Sequence, residues 1–325
     1  MSTATIIFLI IFVLILMLHL YRQYWANREL AQVHTAEFDG ELYKVGETYI
    51  ARRQGSDASK TIVCFPGFLE DMRYFQALYA DTDCELVLVN NAYYHNPFPS
   101  LEARPLSWQE NPFEMGTIEH DGFYLGHILR ELVGGQRIYL HGHSRGGAVV
   151  LEAGRQFPEL MQSTERDVTA ILEAAVVPQG RNAGKASGPF AHRIICYLMP
   201  IVLGLSRKSG VDKLLKQPMM RPTNDLKTAL CQGIYSNARN YKTCVVNVQS
   251  IVLWQAQTSH DVYRNFPKIT AVIGKRDDVL DNPTMIASAE VGAGLNRGMN
   301  ILRTEKTNHF PSLEEPHYLR SLISS

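Results

Sequence analysis

Hydrophobic positions are arranged in three different ways along this chain. Near the N-terminus, every residue from Ile6 to Leu18 is apolar. From about residue 41, short apolar runs that fit buried strands alternate with longer stretches that are apolar at helical spacing. Between about residues 178 and 265 the helical spacing continues without an intervening strand. Strands that alternate with helices predict an α/β fold, with a mostly parallel central sheet covered by helices on both faces.

The same pattern predicts where the elements begin and end. Residues 41–53 alternate as a hairpin does, and residues 178–265 predict a helical cap inserted over the C-terminal ends of the strands. Further strands are expected at 61–65, 85–89, 137–141, 168–177, 269–273 and 299–302, and helices at about 72–79, 116–132, 145–156 and 313–323. The chain thus divides into an apolar anchor at 1–22, a polar linker at 23–35 and one large domain at 36–325.

The N-terminal apolar run predicts a membrane-spanning helix. A helix of about 18 residues is close to the shortest that crosses a hydrocarbon core of about 30 Å. A cleaved signal peptide is the alternative, but it would need basic residues before the run and a small-x-small cleavage site after it, and the sequence has neither. Tyr21, Tyr24 and Trp25 suit an interfacial aromatic belt. Arg22 and Arg28 follow the run, which predicts a single-pass protein with its large domain in the cytoplasm.

Composition narrows the range of partners. The 325 residues carry no formal net charge, which argues against nucleic acid as a partner because phosphate binding needs an excess of Lys and Arg. The five cysteines are dispersed, and their spacing fits neither a disulfide framework nor a zinc site. The sequence contains no other metal-ligand spacing and no GxGxxG motif, so it implies neither a metal nor a cofactor.

The first candidate for chemistry is Ser144, at the centre of the segment GHSRG at 142–146. A predicted strand ends directly before this segment and a predicted helix follows it, which is the setting of a nucleophilic serine in a strained turn. Gly142 and Gly146 are needed there because larger side chains would clash. A serine hydroxyl is a weak nucleophile until a base removes its proton, so a histidine held by a carboxylate should follow later in the chain.

Two later loops supply that histidine and that carboxylate. The strand at 269–273 runs into the segment GKRDD, which places Asp277 at the C-terminal edge of the sheet. The segment NHFPSLEEP follows the next strand, and its His309 is the candidate base. Asp278 is a rival for the carboxylate, and Asp281 is a second rival.

These three segments together resemble the motifs of the α/β-hydrolase family. GHSRGG resembles its nucleophile elbow, GKRDD its acid loop, and NHFPSLEEP its histidine loop, in the same order and over most of residues 40–325 outside the cap. The resemblance implies Ser144 as nucleophile, His309 as base and then acid, and Asp277 as the group that orients the histidine. It also implies an oxyanion hole formed by the backbone N–H groups of Phe68 and Arg145.

The chain departs from the family pattern at two places. Pro66 stands where the family usually has a histidine before the oxyanion glycine. The segment NNAYY at 90–94 stands where many members carry a glycine-bearing turn. Other histidines favour structural roles: His141 and His143 are expected to pack beside the elbow or line the pocket, and His95 and His120 are expected at the surface or in loops.

Within the cap, residues 190–205 are unusually apolar. A second membrane span is one interpretation, although Arg193 and Pro200 interrupt a stretch that is already short for crossing a bilayer. A cap helix that touches the substrate or the bilayer surface fits the segment better.

The leading hypothesis is a membrane-anchored serine hydrolase that cleaves a carboxylic ester or thioester through an acyl-enzyme on Ser144. Serine at the elbow disfavours the ether-cleaving and halide-cleaving branches of the fold. The anchor and the apolar cap favour a lipid-like acyl substrate. Two alternatives stay open: an acyltransferase that uses the same triad, and a non-enzymatic membrane protein on a hydrolase scaffold.

Overall fold

The structure, a computed structural model, describes residues 2–28, 34–183, 189–206, 211–217, 220–233 and 241–324. Nine strands in these residues form one sheet in the order β5-β1-β2-β4-β3-β6-β7-β8-β9. The strand bounds are Glu41–Val45 (β1), Thr48–Arg53 (β2), Asp57–Phe65 (β3), Cys84–Val89 (β4), Ala103–Pro105 (β5), Arg137–His143 (β6), Asp167–Glu173 (β7), Lys268–Gly274 (β8) and Met299–Thr304 (β9).

Most strand pairs in this sheet are parallel. β1 and β2 form the predicted antiparallel hairpin, and β2 also pairs antiparallel with β4. The other neighbours, from β4 through β3 and β6 to β9, are parallel, as is the short edge pair of β1 with β5. This confirms the α/β fold class predicted from the alternating pattern. Parallel strands place their carboxyl ends at the same edge, where the loops that follow β3, β6, β8 and β9 meet.

Helices cover both faces of the sheet and form the cap. Their bounds are Thr3–Asn27 (α1), Arg73–Leu78 (α2), Ile118–Glu131 (α3), Arg145–Gln156 (α4), Pro158–Met161 (α5), Pro189–Ser206 (α6), Val211–Leu215 (α7), Asp225–Gly233 (α8), Tyr241–Gln257 (α9), Asn282–Leu295 (α10), Pro311–Glu314 (α11) and Pro316–Ser324 (α12). A 3-10 helix, His260–Asn265, links α9 to β8. The described part of the predicted cap, α6 to α9, is helical as expected.

The core is split by the sheet, because successive side chains of a strand point to opposite faces. In β3, Val63 and Phe65 pack with α3 and α4 on one face, whereas Ile62 and Cys64 pack with α2 and the C-terminal helices on the other. All four side chains are buried. The central strands are therefore apolar on both sides, and polar side chains collect at the ends of the strands.

Several boundaries differ from those expected, and two of the differences have a clear local cause. β7 ends at Glu173 and not at residue 177, because Ala174 takes a φ of 41° that a strand does not allow. The expected C-terminal helix is divided at Glu315, since a residue before proline avoids the helical conformation. Helix α1 continues through Asn27, so residues 23–27 of the predicted linker are helical. Residues 29–33 of the predicted linker lie outside the described residues.

Candidate active site

Ser144 occupies a strained turn between β6 and α4. Its φ of 51° and ψ of −117° lie outside the regions that side chains other than glycine usually adopt. A Cβ at Gly142 would lie 2.3 Å from the carbonyl oxygen of Gly146, and a Cβ at Gly146 would lie 2.0 Å from the carbonyl oxygen of Phe65. Both neighbours are backbone atoms that cannot move aside. The turn therefore requires glycine on both sides of the serine.

His309 and Asp277 meet at the adjacent loops. His309 Nδ1 lies 2.8 Å from Asp277 Oδ2, and the other carboxylate oxygen accepts the N–H groups of Val279 at 2.8 Å and Leu280 at 3.0 Å. Burial raises the pKa of Asp277, but the charge and hydrogen bond of His309 and these two N–H groups bring the pKa below its ordinary value. Asp277 is thus a carboxylate that fixes Nδ1 of His309 as the donor. No hydrogen bond joins His309 to the Ser144 hydroxyl, although both side chains are described.

Asp278 and Asp281, the two alternatives to Asp277, lie in different environments from that of Asp277. The side chain of Asp278 is exposed, and only its backbone N–H reaches this loop, by donating to Asn308 Oδ1 at 3.2 Å. Asp281 accepts the N–H of Thr284 at 3.2 Å and so caps helix α10. Of the three aspartates, Asp277 is the one that contacts the histidine.

A buried histidine connects the elbow to the histidine loop. His143 Nδ1 lies 2.8 Å from Glu70 Oε2, and its Nε2 lies 2.7 Å from the carbonyl oxygen of His309. The carbonyl oxygen can only accept, and so can Glu70 as a carboxylate; with both ring nitrogens donating, His143 is an imidazolium. Burial lowers the pKa of His143, but the charge and hydrogen bond of Glu70 outweigh it and raise the pKa to about 9. The ring also stacks on Tyr74 at 4.5 Å between centroids.

The same glutamate holds the loop that follows β3. Glu70 Oε2 accepts the N–H of Gly67 at 2.7 Å, and Asn91 donates to the carbonyl oxygen of Gly67 at 2.9 Å. A Cβ at Gly67 would lie 2.9 Å from Cβ of Ser144, so this backbone passes directly over the serine. Among the described residues, the N–H of Phe68 has no protein acceptor. The loop therefore leaves one N–H free close to Ser144.

Arg145 contributes in two separate ways. Its N–H is the first of helix α4, where no intrahelical acceptor exists. Its side chain is fully buried and donates to Asn91 Oδ1 at 2.7 Å, to Asp121 Oδ2 at 2.7 Å and to the carbonyl oxygen of Gly116 at 2.8 Å. The guanidinium thus fixes Asn91 of the NNAYY segment, and Asn91 is in turn hydrogen-bonded to Gly67. The sequence predicted only the role of the N–H.

A second buried carboxylate, Glu173 at the end of β7, is hydrogen-bonded to the histidine loop. It accepts both the N–H and the hydroxyl of Ser312 at 2.5 Å, and the hydroxyl of Tyr74 at 3.0 Å. Nε2 of His141 lies 3.0 Å from Oε2 of Glu173. Burial raises the pKa of Glu173, but His141, His143 and Ser312 together lower it to about 2. The sequence pattern did not single out Glu173, which lies within the buried strand predicted at 168–177.

The cap also contacts the histidine loop. Lys227 in α8 is fully buried, forms an ion pair with Glu314 and lies 4.9 Å from the centroid of the Phe310 ring. The second oxygen of Glu314 accepts the N–H of Asn308 at 2.6 Å. Helix α8 therefore contacts the segment that carries His309.

Other polar side chains correct or extend the sequence interpretation. His95 and His120 were expected at the surface or in loops. His95 does lie in a loop but is buried, 2.9 Å from Asp71, whereas His120 is buried in helix α3, 2.9 Å from Asp121. In the described part of the chain, no group of three or more His, Cys, Asp or Glu side chains has the arrangement of a metal site.

A third hydrophobic cluster lies beside this site. Its buried members are Trp25 of α1, Ile201 of α6, Cys244 of α9 and Tyr94. Phe68 and Leu69 pack against it, which brings the N-terminal helix and the loop over Ser144 into one cluster. We call this group the Trp25 cluster.

Comparison with known proteins establishes the fold. No family model and no curated protein matches the chain, whereas many solved structures do. MenH from S. aureus superposes with a TM-score of 0.60 at 14% identity, over 85% of this chain and 96% of that one. A thermophilic esterase from Thermogutta terrifontis gives 0.59 at 14% identity, with coverages of 85% and 92%. A mutant of the N-acyl homoserine lactonase AidH, complexed with N-hexanoyl homoserine, gives 0.57 at 12% identity, with coverages of 88% and 94%. These matches confirm the α/β-hydrolase fold predicted from the three motifs.

Proposed function

We propose that the protein is a serine hydrolase of carboxylic esters or thioesters. The proposal rests on the α/β-hydrolase fold that this chain shares with known esterases and on the geometry at Ser144. The observation that carries the proposal is the pair of His309 and Asp277, 2.8 Å apart, on a loop that His143 joins to the strained turn of Ser144. A buried carboxylate that holds one ring nitrogen leaves the other nitrogen free to act as a base.

The proposed reaction uses these groups in turn. His309 Nε2 accepts the proton of Ser144 Oγ as the oxygen attacks the carbonyl carbon of the substrate. The N–H groups of Phe68 and Arg145 donate to the oxyanion that forms. The imidazolium of His309 passes its proton to the departing alcohol or thiol, which leaves the acyl group on Ser144. A water molecule attacks the acyl-enzyme by the same steps in reverse and releases the acid.

We also assign the N-terminal helix as an uncleaved, single-pass membrane anchor. Helix α1 is long and apolar enough to cross a bilayer, and its most apolar window has no buried residue. Trp25 and Ala26, at its end, are buried against the folded domain. A cleaved leader would not be expected to supply a core side chain to the mature protein. Arg22 and Arg28 on the C-terminal side favour a cytoplasmic domain, and a lipid-like ester would be concentrated in the same membrane.

The test is covalent labelling with a fluorophosphonate probe. The wild-type protein should be labelled and Ser144→Ala should not, because the probe reacts with an activated serine hydroxyl. Ser163→Ala, in a surface loop after α5, is the matched control and should be labelled like the wild type. Labelling that survives in Ser144→Ala would overturn the assignment of the nucleophile. For the anchor, a mature protein that begins after about residue 25, or that stays soluble without detergent, would refute it.

A further inference from the structure

Helix α6 exposes apolar side chains to its surroundings. Ile194, Ile195, Val202 and Leu205 are between 43% and 55% exposed. Together with the half-buried Leu198 they recur at helical spacing and form one stripe, on the side opposite the buried Cys196 and Pro200. A helix on the surface of a soluble domain normally carries polar residues on its outer face. This stripe has none among the described side chains, so its outer surroundings are expected to be apolar.

Helix α1 lies directly beside α6 and is fastened to it by specific contacts. His19 Nδ1 lies 2.9 Å from the hydroxyl of Tyr197, and Arg22 donates to the carbonyl oxygen of Tyr197 at 2.8 Å. Further along α1, Trp25 packs so closely on Gly204 that a Cβ added to Gly204 would lie 2.2 Å from the indole ring. These contacts join one face of α1 to one face of α6.

The order of these contacts gives the relative direction of the two helices. His19 is level with Tyr197, and Trp25 is level with Gly204, so the helices run side by side in the same direction. Residues that precede Tyr197 therefore lie towards the apolar run of α1. Ile194 and Ile195 are at this end of α6, next to the segment of α1 that is apolar enough to cross a bilayer. The exposed stripe is continuous with the proposed anchor.

The inner side of the same helix leads towards the serine. Ile201 is buried in the Trp25 cluster, and Met199, Leu203 and Leu198, the half-buried member of the stripe, pack against it. Phe68, whose N–H we assign to the oxyanion hole, packs against the same cluster. An unbroken series of apolar side chains therefore extends from the exposed stripe of α6 to the loop over Ser144.

We propose that the exposed stripe of α6 docks into the bilayer beside α1, and that the substrate is a membrane-dissolved ester that enters from the lipid on the side of the protein where the Trp25 cluster lies. The inference rests on the proposed function, because it names the substrate class and route for the same serine. The occupant of the stripe is the lipid bilayer: α1 places it at the membrane, and its side chains are apolar. Arg193 is exposed on α6 next to the stripe, and its long side chain would have to extend along the helix to keep its charge at the headgroups.

The kinetic test uses the full-length protein in phosphatidylcholine vesicles. Turnover of p-nitrophenyl palmitate, dissolved in the vesicles, is divided by turnover of water-soluble p-nitrophenyl acetate. The double variant Ile194→Ser/Ile195→Ser should lower this ratio by about ten-fold, because two apolar side chains no longer favour insertion. The control Val291→Ser removes a side chain that is 46% exposed on α10, away from α1, and should keep the wild-type ratio. An unchanged ratio in the double variant would overturn the inference.

A second measurement locates the stripe directly. All five native cysteines are buried, so an environment-sensitive fluorophore can be attached selectively to Ile195→Cys or, as the control, to Val291→Cys. Lipids that carry a doxyl quencher should quench the label at 195 and leave the label at 291 unaffected. Equal quenching at both positions would indicate that the stripe faces solvent. Disulfide cross-linking of two chains through residue 195, without quenching, would indicate that a second copy covers the stripe. Either result would refute the inference. If the wild type hydrolyses neither ester and takes no fluorophosphonate, the proposed function itself has failed.

Discussion

The ring of His143 is held as a cation by the carboxylate of Glu70, 2.8 Å away, beneath the proposed catalytic serine. Because Glu70 also accepts the N–H of Gly67, and His143 also donates to the carbonyl oxygen of His309, this one pair connects three loops. Those loops carry the proposed oxyanion donor, the nucleophile and the base. The charge of the pair is therefore a structural component of the site.

Stability should depend on pH through this pair. The folded-state pKa of His143 is about 9, raised from an ordinary value of 6.5. The stabilisation is complete below pH 6.5 and is lost as the pH rises through 9, with a total on the order of 3 kcal/mol. The melting temperature of the wild type should fall between these pH values. In Glu70→Gln, which removes the negative charge, this part of the decline should be absent. Parallel curves for the two proteins in calorimetry at several pH values would contradict the assignment.

The proposed role of Asp277 as the carboxylate that orients His309 can be tested with neighbouring variants. Asp277→Asn should lower kcat for p-nitrophenyl acetate by about 10⁴-fold, because the amide no longer fixes the tautomer of His309. Asp278→Asn, at an exposed side chain, should keep kcat within about two-fold of the wild type. If only Asp278→Asn abolishes turnover, the carboxylate has been assigned to the wrong residue.

The buried guanidinium of Arg145 should contribute mainly to stability. Arg145→Met leaves Asp121 buried without its ionic partner, which should reduce the free energy of unfolding by about 3–5 kcal/mol. Adding Asp121→Asn should recover part of the loss, since the uncompensated charge is then removed. The control is Arg130→Met, whose pair with Glu159 is exposed and should contribute less than about 1 kcal/mol. Urea denaturation in detergent measures all four proteins; equal losses for Arg145→Met and Arg130→Met would contradict the burial argument.

The end of the N-terminal helix should behave as part of the folded domain. Trp25 is 3% exposed, whereas the adjacent Tyr24 is 52% exposed. Trp25→Ala should therefore reduce the free energy of unfolding by about 3–5 kcal/mol, and Tyr24→Ala should change it by less than about 1 kcal/mol. Thermal unfolding followed by near-ultraviolet circular dichroism compares the two variants. Similar melting temperatures would indicate that α1 is only tethered to the domain.

Local features of this site could be predicted from the sequence because their causes are local. Helix α4 begins and ends where its apolar spacing predicts, at Arg145 and Gln156. The setting of Ser144 follows from the residues on either side of it, since a strand, a glycine-flanked turn and a helix are all properties of consecutive residues. The alternation of strands and helices likewise predicts the parallel sheet, whose geometry brings distant loops to one edge.

The long-range partners depend on the tertiary structure. Glu70 and His143 are 73 positions apart, and nothing in the spacing of charges links them. The choice of Asp277 over Asp278 and Asp281 is decided by the direction of each side chain after a turn, which spacing alone does not predict. The same holds for Trp25, which the pattern assigned to a membrane interface and the structure buries against Gly204. By itself, the sequence determined the fold class and the candidate groups, through local periodicity and motif order. Only the tertiary structure decided which buried charges and aromatic side chains come into contact, because burial depends on the packing of all the elements together.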